Sequence, residues 1–285
     1  MDKTIAYRKK LIETFKAFDT FCKEEGIRYF AAYGTLIGAV RHQGLIPWDD
    51  DIDVWMLPED YEKMMSYKGK ITDHYDIIND TDKNYWLYSL IKFVDTNTTL
   101  WEAEEFPCVT GVYIDIFPLM ECDEKEAKDN RAEYDLVSSK LTRSLKHYSI
   151  GRILGLYLTG HAHEGKQQLK DYFYSKFRYK SNRKEYDELV KRLKSQKGNF
   201  YVSYDGAYYE KEVFPKEWFK ETKSLNFEGT MIPVPTAYDE VLTKLYGDYM
   251  QLPPEDKRVS HHSHFFEDMD RRWTVNEIRK MIKKQ

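Results

Sequence analysis

Cysteine is scarce in this chain, and its spacing argues against two classes of protein. The 285 residues contain three cysteines, Cys22, Cys108 and Cys122, which make neither a disulfide framework nor a paired-cysteine metal site. The N-terminus has no apolar signal core, and the longest uncharged stretch, 29–40, is too short to span a bilayer. We therefore expect a cytoplasmic protein without a transmembrane segment. Peripheral association with the inner face of the membrane, through basic segments such as 140–152, is left open.

An overall basic excess is also missing. The formal net charge is −4, which is not the charge of a general nucleic-acid binder, so we expect no nucleic-acid partner. Aromatic residues are abundant at 15%, and the chain has 23 tyrosines. This composition suits a cleft that contacts a sugar or stacks on a base, and it is equally typical of a tyrosine-rich core.

The chain has no internal repeats and no linker rich in proline, glycine or serine. Apolar residues at three- and four-residue steps predict a helix over 4–25 that ends at Gly26. Strand and helix patterns alternate up to about residue 122, charged helix-forming sequence fills 123–197, and strand signals return from 200. Thr236 with Asp239 predicts a capped helix that ends at Gly247. We predict a mixed α/β protein of the α+β class, organised as a core (1–122), a helical subdomain (123–197) and a C-terminal segment (198–285).

Four aspartates lie within five positions, directly before an apolar run. They are Asp49, Asp50, Asp51 and Asp53, in the segment "WDDDIDVWM". If this segment is a strand, Asp51 and Asp53 point to the same face, because alternate side chains share a face. Two such carboxylates can bind one hard cation, and Mg²⁺ prefers oxygen ligands together with substrate phosphates. We predict a Mg²⁺ site here, with Mn²⁺ as the alternative ion; the competing interpretation is an acidic loop in which Asp49 caps a turn.

Two further features fit a site that binds metal and phosphate. Gly34 and Thr35 head a predicted short helix, where backbone N–H groups and a hydroxyl can bind a phosphate. Asp115 lies between Ile114 and Ile116 in a predicted buried strand, where an unpaired acid is costly. It is either a satisfied structural carboxylate or a third metal ligand and general base. A Gly-Thr pair, two spaced aspartates and one acid on a later strand resemble the layout of the nucleotidyltransferase fold, a mixed sheet flanked by helices.

The longest of these motifs, "YGTLIGAVRHQGLIPWDDDIDV" (33–54), resembles the signature of the LicD family, which includes bacterial phosphocholine transferases and is related to fukutin and fukutin-related protein. Later segments are similar as well: "IKFVDTNTTL" (91–100), "GVYIDIFPL" (111–119) and "IPVPTAYDEVLTKLYGDYMQLPP" (232–254). The resemblance covers roughly residues 5–265 and is weakest in the helical middle. It implies a nucleotidyltransferase-like core at 1–122, a helical insertion, and a C-terminal segment that completes the active-site cleft.

The resemblance also implies an activity. LicD-type enzymes transfer a phosphate-linked group from a CDP-alcohol, typically phosphocholine from CDP-choline, to a hydroxyl of a glycan or lipid-linked glycan and release CMP; related proteins use CDP-ribitol. Under this interpretation Asp51, Asp53 and Asp115 are catalytic residues and metal ligands. The acceptor would be a cell-surface glycan, such as a teichoic-acid, capsule or lipopolysaccharide precursor. A nucleotidyltransferase that moves NMP from an NTP, and a binding protein with a decayed site, are the alternatives.

Other candidate residues are assigned to substrate binding. Arg41 neutralises a diphosphate or lies at a solvated helix end, and Trp48 stacks on a base or packs. Lys92, in the apolar run "LIKFV", either snorkels outward or faces a phosphate. Asp49 belongs to the same set. In the cluster "RVSHHSHFF" we predict that at least one of His261, His262 and His264 donates to a substrate phosphate or to the acceptor, although the spacing is not diagnostic of a metal site.

Overall fold

The centre of the molecule is a mixed β-sheet of five strands. The computed structural model describes residues 3–85, 90–259 and 263–283. Its strands are β1 (Phe30–Ala31), β2 (Asp53–Met56), β3 (Tyr75–Ile78), β4 (Ile91–Asp95), β5 (Thr99–Trp101), β6 (Tyr113–Pro118), β7 (Met120–Cys122), β8 (Phe200–Val202), β9 (Val213–Pro215), β10 (Thr222–Phe227), β11 (Thr230–Pro235) and β12 (Phe266–Asp268). The helices are α1 (Lys3–Glu25), α2 (Tyr33–Ile37), α3 (Pro58–Met65), α4 (Glu124–Ser144), α5 (Ile150–Leu158), α6 (Ala162–Ser195), α7 (Tyr238–Tyr246) and α8 (Val275–Ile282).

The central sheet has the order β1-β2-β6-β4-β3, and only β2 and β6 run parallel within it. Within the described residues, three smaller sheets accompany it: β10 with β11, β12 with β5, and β7-β8-β9. A mixed sheet flanked by helices is the predicted fold class, and the prediction is confirmed. None of the helices in the described part of the chain is both long and apolar enough to cross a membrane.

Helix α1 forms where the sequence predicts it and covers the sheet next to β4 and β6. Leu11, Phe15 and Phe18 recur at three- and four-residue steps and are fully buried. Each such side chain contributes roughly 1.5–3 kcal/mol through burial. Gly26 ends the helix with φ +60°, a left-handed conformation in which glycine has no Cβ penalty.

The helical middle of the chain has a hydrophobic core of its own. Helices α4 and α6 pack along each other and, together with strands β7, β8 and β9, enclose Tyr134, Leu141, Leu189 and Leu193. The predicted helical character of 123–197 is therefore confirmed. The division of the chain into three parts remains a prediction, because the strands that close this core come from both flanking parts.

Several local predictions were wrong. Strand β2 begins at Asp53, so Asp51 precedes the strand and the two do not share a strand face by alternation. Helix α7 begins at Tyr238, and its N-cap residue, Ala237, makes no side-chain cap, so Thr236 and Asp239 do not form the predicted capping pair. The end of α7 at Gly247 is as predicted.

Candidate active site

Three of the predicted acidic residues, Asp49, Asp51 and Asp53, line one large cleft. A cavity of about 710 Å³ opens beside the start of β2. We call it the acidic pocket; Gly34, Asp49, Asp51 and Asp53 line one side. The opposite side is formed by 205–208 and by the segment 246–257. The C-terminal part of the chain thus contributes to the same cleft as the N-terminal motif.

The Gly-Thr pair shapes this cleft through its backbone. Helix α2 starts at Tyr33, two residues before the predicted start at Thr35, so that Gly34 and Thr35 lie in its first turn. A Cβ atom at Gly34 would lie 2.5 Å from Asp49 Oδ2, so only glycine allows that carboxylate to approach the helix. Thr35 is buried, and its hydroxyl accepts a 2.9 Å hydrogen bond from the backbone N–H of Asp53. The structure therefore shows Gly34 beside the pocket and Thr35 holding the start of β2.

Three of the four clustered carboxylates lie close together, and all three are partly exposed. Asp49, Asp50 and Asp51 each offer an oxygen within 4.8 Å of the others. Burial, followed by the charge of Asp51, raises the pKa of Asp49 to about 8. Burial also raises the pKa of Asp53 well above its usual value, with further contributions from Asp51 and Asp115. Without a counter-charge, such a cluster holds protons at neutral pH rather than several adjacent negative charges.

Asp115 reaches the cluster through the sheet register. It pairs with Asp53 on the parallel neighbour β6 and with Lys92 on the antiparallel neighbour β4. Register partners of a sheet project to the same face, so Asp53, Asp115 and Lys92 form one row across three strands. Asp115 was predicted to lie near the other aspartates, and the structure brings it next to Asp53.

Lys92 is the most deeply buried member of this row. It is 1% exposed, its Nζ lies 2.8 Å from Asp115 Oδ1 and 3.5 Å from Glu102 Oε1, and it also lies over the ring of Tyr113. Burial alone would lower the pKa of Lys92, but the two carboxylates outweigh it and the pKa is raised. Burial conversely raises the pKa of Asp115 to about 6, against the opposing effect of Lys92. Lys92 is thus charged and paired with side chains of the protein.

The donor set fits a divalent cation. It consists of hard carboxylate oxygens, the ligands preferred by Mg²⁺ and Mn²⁺. Burial, followed by the neighbouring carboxylates, raises the pKa values of Asp49 and Asp53, while Lys92 pairs with Asp115 and Glu102. Asp49, Asp51 and Asp53, with Asp115 behind them, are the residues that would hold the ion.

The rim of the pocket carries cations and aromatic rings. Arg41 lines it and donates a 2.6 Å hydrogen bond from Nη1 to the carbonyl of Tyr249, which ties the C-terminal segment to the cleft. Lys257 adds a second cation. Trp48 also lines the pocket, with His42 edge-on to its ring and Arg258 over it. The predicted substrate residues Arg41, Trp48 and Asp49 therefore all face this cavity.

Residues 205–208 line the acidic pocket, although the sequence pattern did not predict them as part of the site. Glu212 is fully buried and accepts a 2.5 Å hydrogen bond from Tyr33 Oη. Tyr33 lies at the start of α2 and has a φ of +44°. Burial raises the pKa of Glu212 to about 7 and that of Asp205 to about 6. Asp205 Oδ2 accepts no hydrogen bond from any described residue, although Asp205 lines the pocket. The only local signal for this region was the strand-and-turn segment "FYVSYDG".

The histidine cluster is described in part. His261 and His262 lie outside the described residues, so their prediction stays a prediction. His264 lies against Tyr7, with 5.5 Å between the ring centroids, and its Nδ1 is 3.5 Å from Glu267 Oε2.

Several of these residues fall within a segment that matches a known protein family. Residues 26–153, which include the Gly-Thr helix, all four clustered aspartates, Lys92 and Asp115, match the family described as LicD/FKTN/FKRP, nucleotidyltransferase domain. Residues 26–153 are a LicD-family domain. The predicted family is thereby confirmed.

Relatives of this chain extend the match beyond that domain. The chain is 28% identical over 266 residues to the lipopolysaccharide cholinephosphotransferase LicD of Haemophilus influenzae, covering 86% of this chain and 90% of that protein. A shorter stretch of 61 residues is 34% identical to the human ribitol 5-phosphate transferase FKRP, of which it covers 12%. A 50-residue stretch is 44% identical to an uncharacterised protein of Rickettsia prowazekii, 19% of whose length it covers.

Proposed function

We propose that this chain transfers phosphocholine from CDP-choline to a hydroxyl group of a cell-surface glycan precursor and releases CMP. The observation that carries the proposal is the acidic pocket, in which a carboxylate cluster, two cations and an aromatic wall surround one cavity. We place this reaction in the cytoplasm, as predicted from the sequence.

The chain is a transferase of a phosphate-bearing group. Its LicD-family domain and its 28% identity to a cholinephosphotransferase support this general activity. The two relatives with named activities transfer different phospho-alcohols, phosphocholine and ribitol 5-phosphate. Phospho-alcohol transfer is therefore the common activity, and the headgroup has to be argued from the pocket.

The acidic side of the pocket would hold Mg²⁺ through Asp49, Asp51 and Asp53. When bound, the ion supplies charge neutralisation for the diphosphate and for the CMP leaving group. Arg41 and Lys257 bind the phosphate oxygens from the rim. Asp115, whose pKa of about 6 leaves it mainly ionised at neutral pH, accepts the proton of the attacking hydroxyl. Lys92 keeps Asp115 in place and ionised through its 2.8 Å contact.

The aromatic wall favours choline over ribitol or glycerol. Tyr208 packs edge-on against Tyr246, with 4.8 Å between the ring centroids, and stacks on Tyr33 at 5.9 Å. All three rings line the pocket, as does Asp205. Ring faces and a nearby carboxylate attract a quaternary ammonium group, an interaction worth roughly 0.5–2 kcal/mol per ring. A neutral polyhydroxylated headgroup gains no cation–π attraction from this wall.

The donor experiment compares CDP-choline, CDP-ribitol and CDP-glycerol with a lipopolysaccharide or teichoic-acid acceptor and Mg²⁺, following CMP release. We expect acceptor-dependent CMP from CDP-choline. Tyr208→Leu should raise the KM for CDP-choline about ten-fold without raising it for the other donors. CMP released from CDP-ribitol or CDP-glycerol in preference would overturn the headgroup assignment while leaving phospho-alcohol transfer intact.

The nucleotidyltransferase alternative is tested in parallel. Such an enzyme attacks the α-phosphorus of an NTP, so that pyrophosphate leaves. We expect no acceptor-dependent pyrophosphate from any NTP. Pyrophosphate release with every CDP-alcohol inert would replace the proposed reaction with NMP transfer.

A further inference from the structure

Helix α5 carries its apolar residues on the outside. Ile150, Leu154, Tyr157 and Leu158 are exposed, and Leu158 is 88% exposed. Their spacing of four, seven and eight residues places them on one face of the helix. Only Ile153 of this helix is buried among the described residues. A surface helix usually turns its apolar face to the core, so α5 presents the reverse arrangement.

The apolar surface continues onto α6. Leu169, Phe173 and Phe177 follow one another at four-residue steps and are exposed, Phe177 at 78%. Gly165, one turn before Leu169, lies under the ring of Tyr157, because a Cβ there would be 2.9 Å from Tyr157 Cε2. The two helices therefore adjoin where their apolar faces meet. We call the combined surface the outer face; its members are Ile150, Leu154, Tyr157, Leu158, Leu169, Phe173 and Phe177.

Basic residues surround the outer face. The segment 143–180 contains eight Lys or Arg and two Asp or Glu, a formal charge of +6 in a chain whose net charge is −4. Lys166, Lys170, Lys176 and Lys180 are exposed, and each lies three residues along the helix from Leu169, Phe173 or Phe177. Long lysine side chains at such positions reach past apolar neighbours toward an anionic layer.

From this combination we propose that the outer face binds the surface of an anionic phospholipid bilayer, with α5 and the first half of α6 lying in the interfacial plane. Apolar and aromatic side chains on one side of a helix, flanked by lysines, are the features of interfacial helices. The charge also argues against a second copy as the occupant, because two outer faces would bring equal positive charges together, whereas anionic lipid headgroups neutralise them. This proposal does not depend on the donor or the acceptor of the reaction.

The test uses the full chain and sedimentation with lipid vesicles. One set of vesicles is pure phosphatidylcholine, and the other is an equimolar mixture of phosphatidylcholine and phosphatidylglycerol. We expect binding to the anionic vesicles that weakens as salt rises, and weak binding to the neutral ones.

Variants separate the apolar from the electrostatic contribution. Leu154→Gln with Leu158→Gln should weaken binding at least ten-fold at all salt concentrations, because the inserted side chains are lost. Replacing Lys166, Lys170, Lys176 and Lys180 by Gln should remove the preference for anionic lipid, at about five-fold per lysine. The matched control is Ile5→Gln in α1, which is 59% exposed but far along the chain from the outer face. The control should bind as the unmodified chain does, and thermal melts establish that each variant is folded.

Failure of the unmodified chain to bind anionic vesicles would overturn the proposal. Equal loss of binding in Ile5→Gln would do the same, because the effect would then be independent of the outer face. Light scattering of the same samples measures the oligomeric state. If the unmodified chain is a dimer that does not bind vesicles, and the leucine variants are monomers, the outer face is a contact between two copies of the chain and the proposal is wrong.

Discussion

Replacing Lys92 by methionine tests whether this lysine compensates buried acids, as the structure shows, or contacts a substrate phosphate, as the sequence suggested. The substitution keeps the length of the side chain and removes its charge. Asp115, whose Oδ1 lies 2.8 Å from Nζ, and Glu102, at 3.5 Å, then lose their counter-charge in a site where Lys92 is 1% exposed.

The expected cost depends on pH. Leaving a buried charge without its partner costs about 3–5 kcal/mol, a large part of the roughly 5–15 kcal/mol that stabilises a typical domain. The pKa of Asp115 is already about 6 and rises further when Lys92 is removed. At pH 8 the substitution should therefore lower the free energy of unfolding by the full amount. At pH 5 the carboxyl group of Asp115 is protonated, and the decrease should be only about 1 kcal/mol, from altered packing.

The assay is urea denaturation followed by tryptophan fluorescence at pH 5 and pH 8. Lys194→Met is the control, because Lys194 pairs with Glu62 at 2.5 Å on the surface, where such pairs contribute about 0–1 kcal/mol. Adding Asp115→Asn to Lys92→Met should restore much of the stability at pH 8. Unchanged stability at pH 8 together with a raised KM for the donor would refute this reasoning and return Lys92 to phosphate binding.

Three further substitutions test the site. Asp51→Asn should abolish turnover while leaving the fold intact and should remove the rise in melting temperature that we expect from Mg²⁺; near-normal Mg²⁺-dependent activity would show that Asp51 is not a ligand. Gly34→Ala should displace the Asp49 carboxylate and reduce activity at least ten-fold with little loss of melting temperature, whereas normal kcat and KM would show that the close approach is unimportant. Glu212→Gln should flatten the dependence of the unfolding free energy on pH. Because the folded pKa of Glu212 is raised from its usual 4.5 to about 7, the unmodified protein loses roughly 3 kcal/mol of stability as the pH rises from 4.5 to 7. Parallel curves of unfolding free energy against pH for the two proteins would contradict this.

Local patterns predicted the elements that depend on neighbours in sequence. Helix α1 and its end at Gly26 follow from apolar spacing and from the freedom of glycine at positive φ. The same reasoning failed at Asp51, because strand pairing with β6 starts only at Asp53. Helix α8 went unnoticed although its signal is present, since Thr274 and Glu277 form a reciprocal capping box.

The composition of the site was less accessible to sequence reasoning. The pairing of Lys92 with Asp115 depends on which strands become neighbours, and no periodicity within either segment encodes that. The contribution of Asp205 and Glu212 depends on a contact across about 180 residues, between Tyr33 and Glu212. A single sequence shows that such acids exist; the sheet register and the packing of 205–212 against α2 show which of them meet.

The measurement that tests the central claim most directly is to follow both halves of the donor. CDP-choline, acceptor glycan and Mg²⁺ are incubated with the chain, and acceptor and nucleotide are analysed by mass spectrometry. The proposed reaction predicts that the acceptor gains phosphocholine in an amount equal to the CMP released, that EDTA stops both, and that added Mg²⁺ restores both. CMP release without a modified acceptor, or an acceptor that gains CMP instead of phosphocholine, would contradict it.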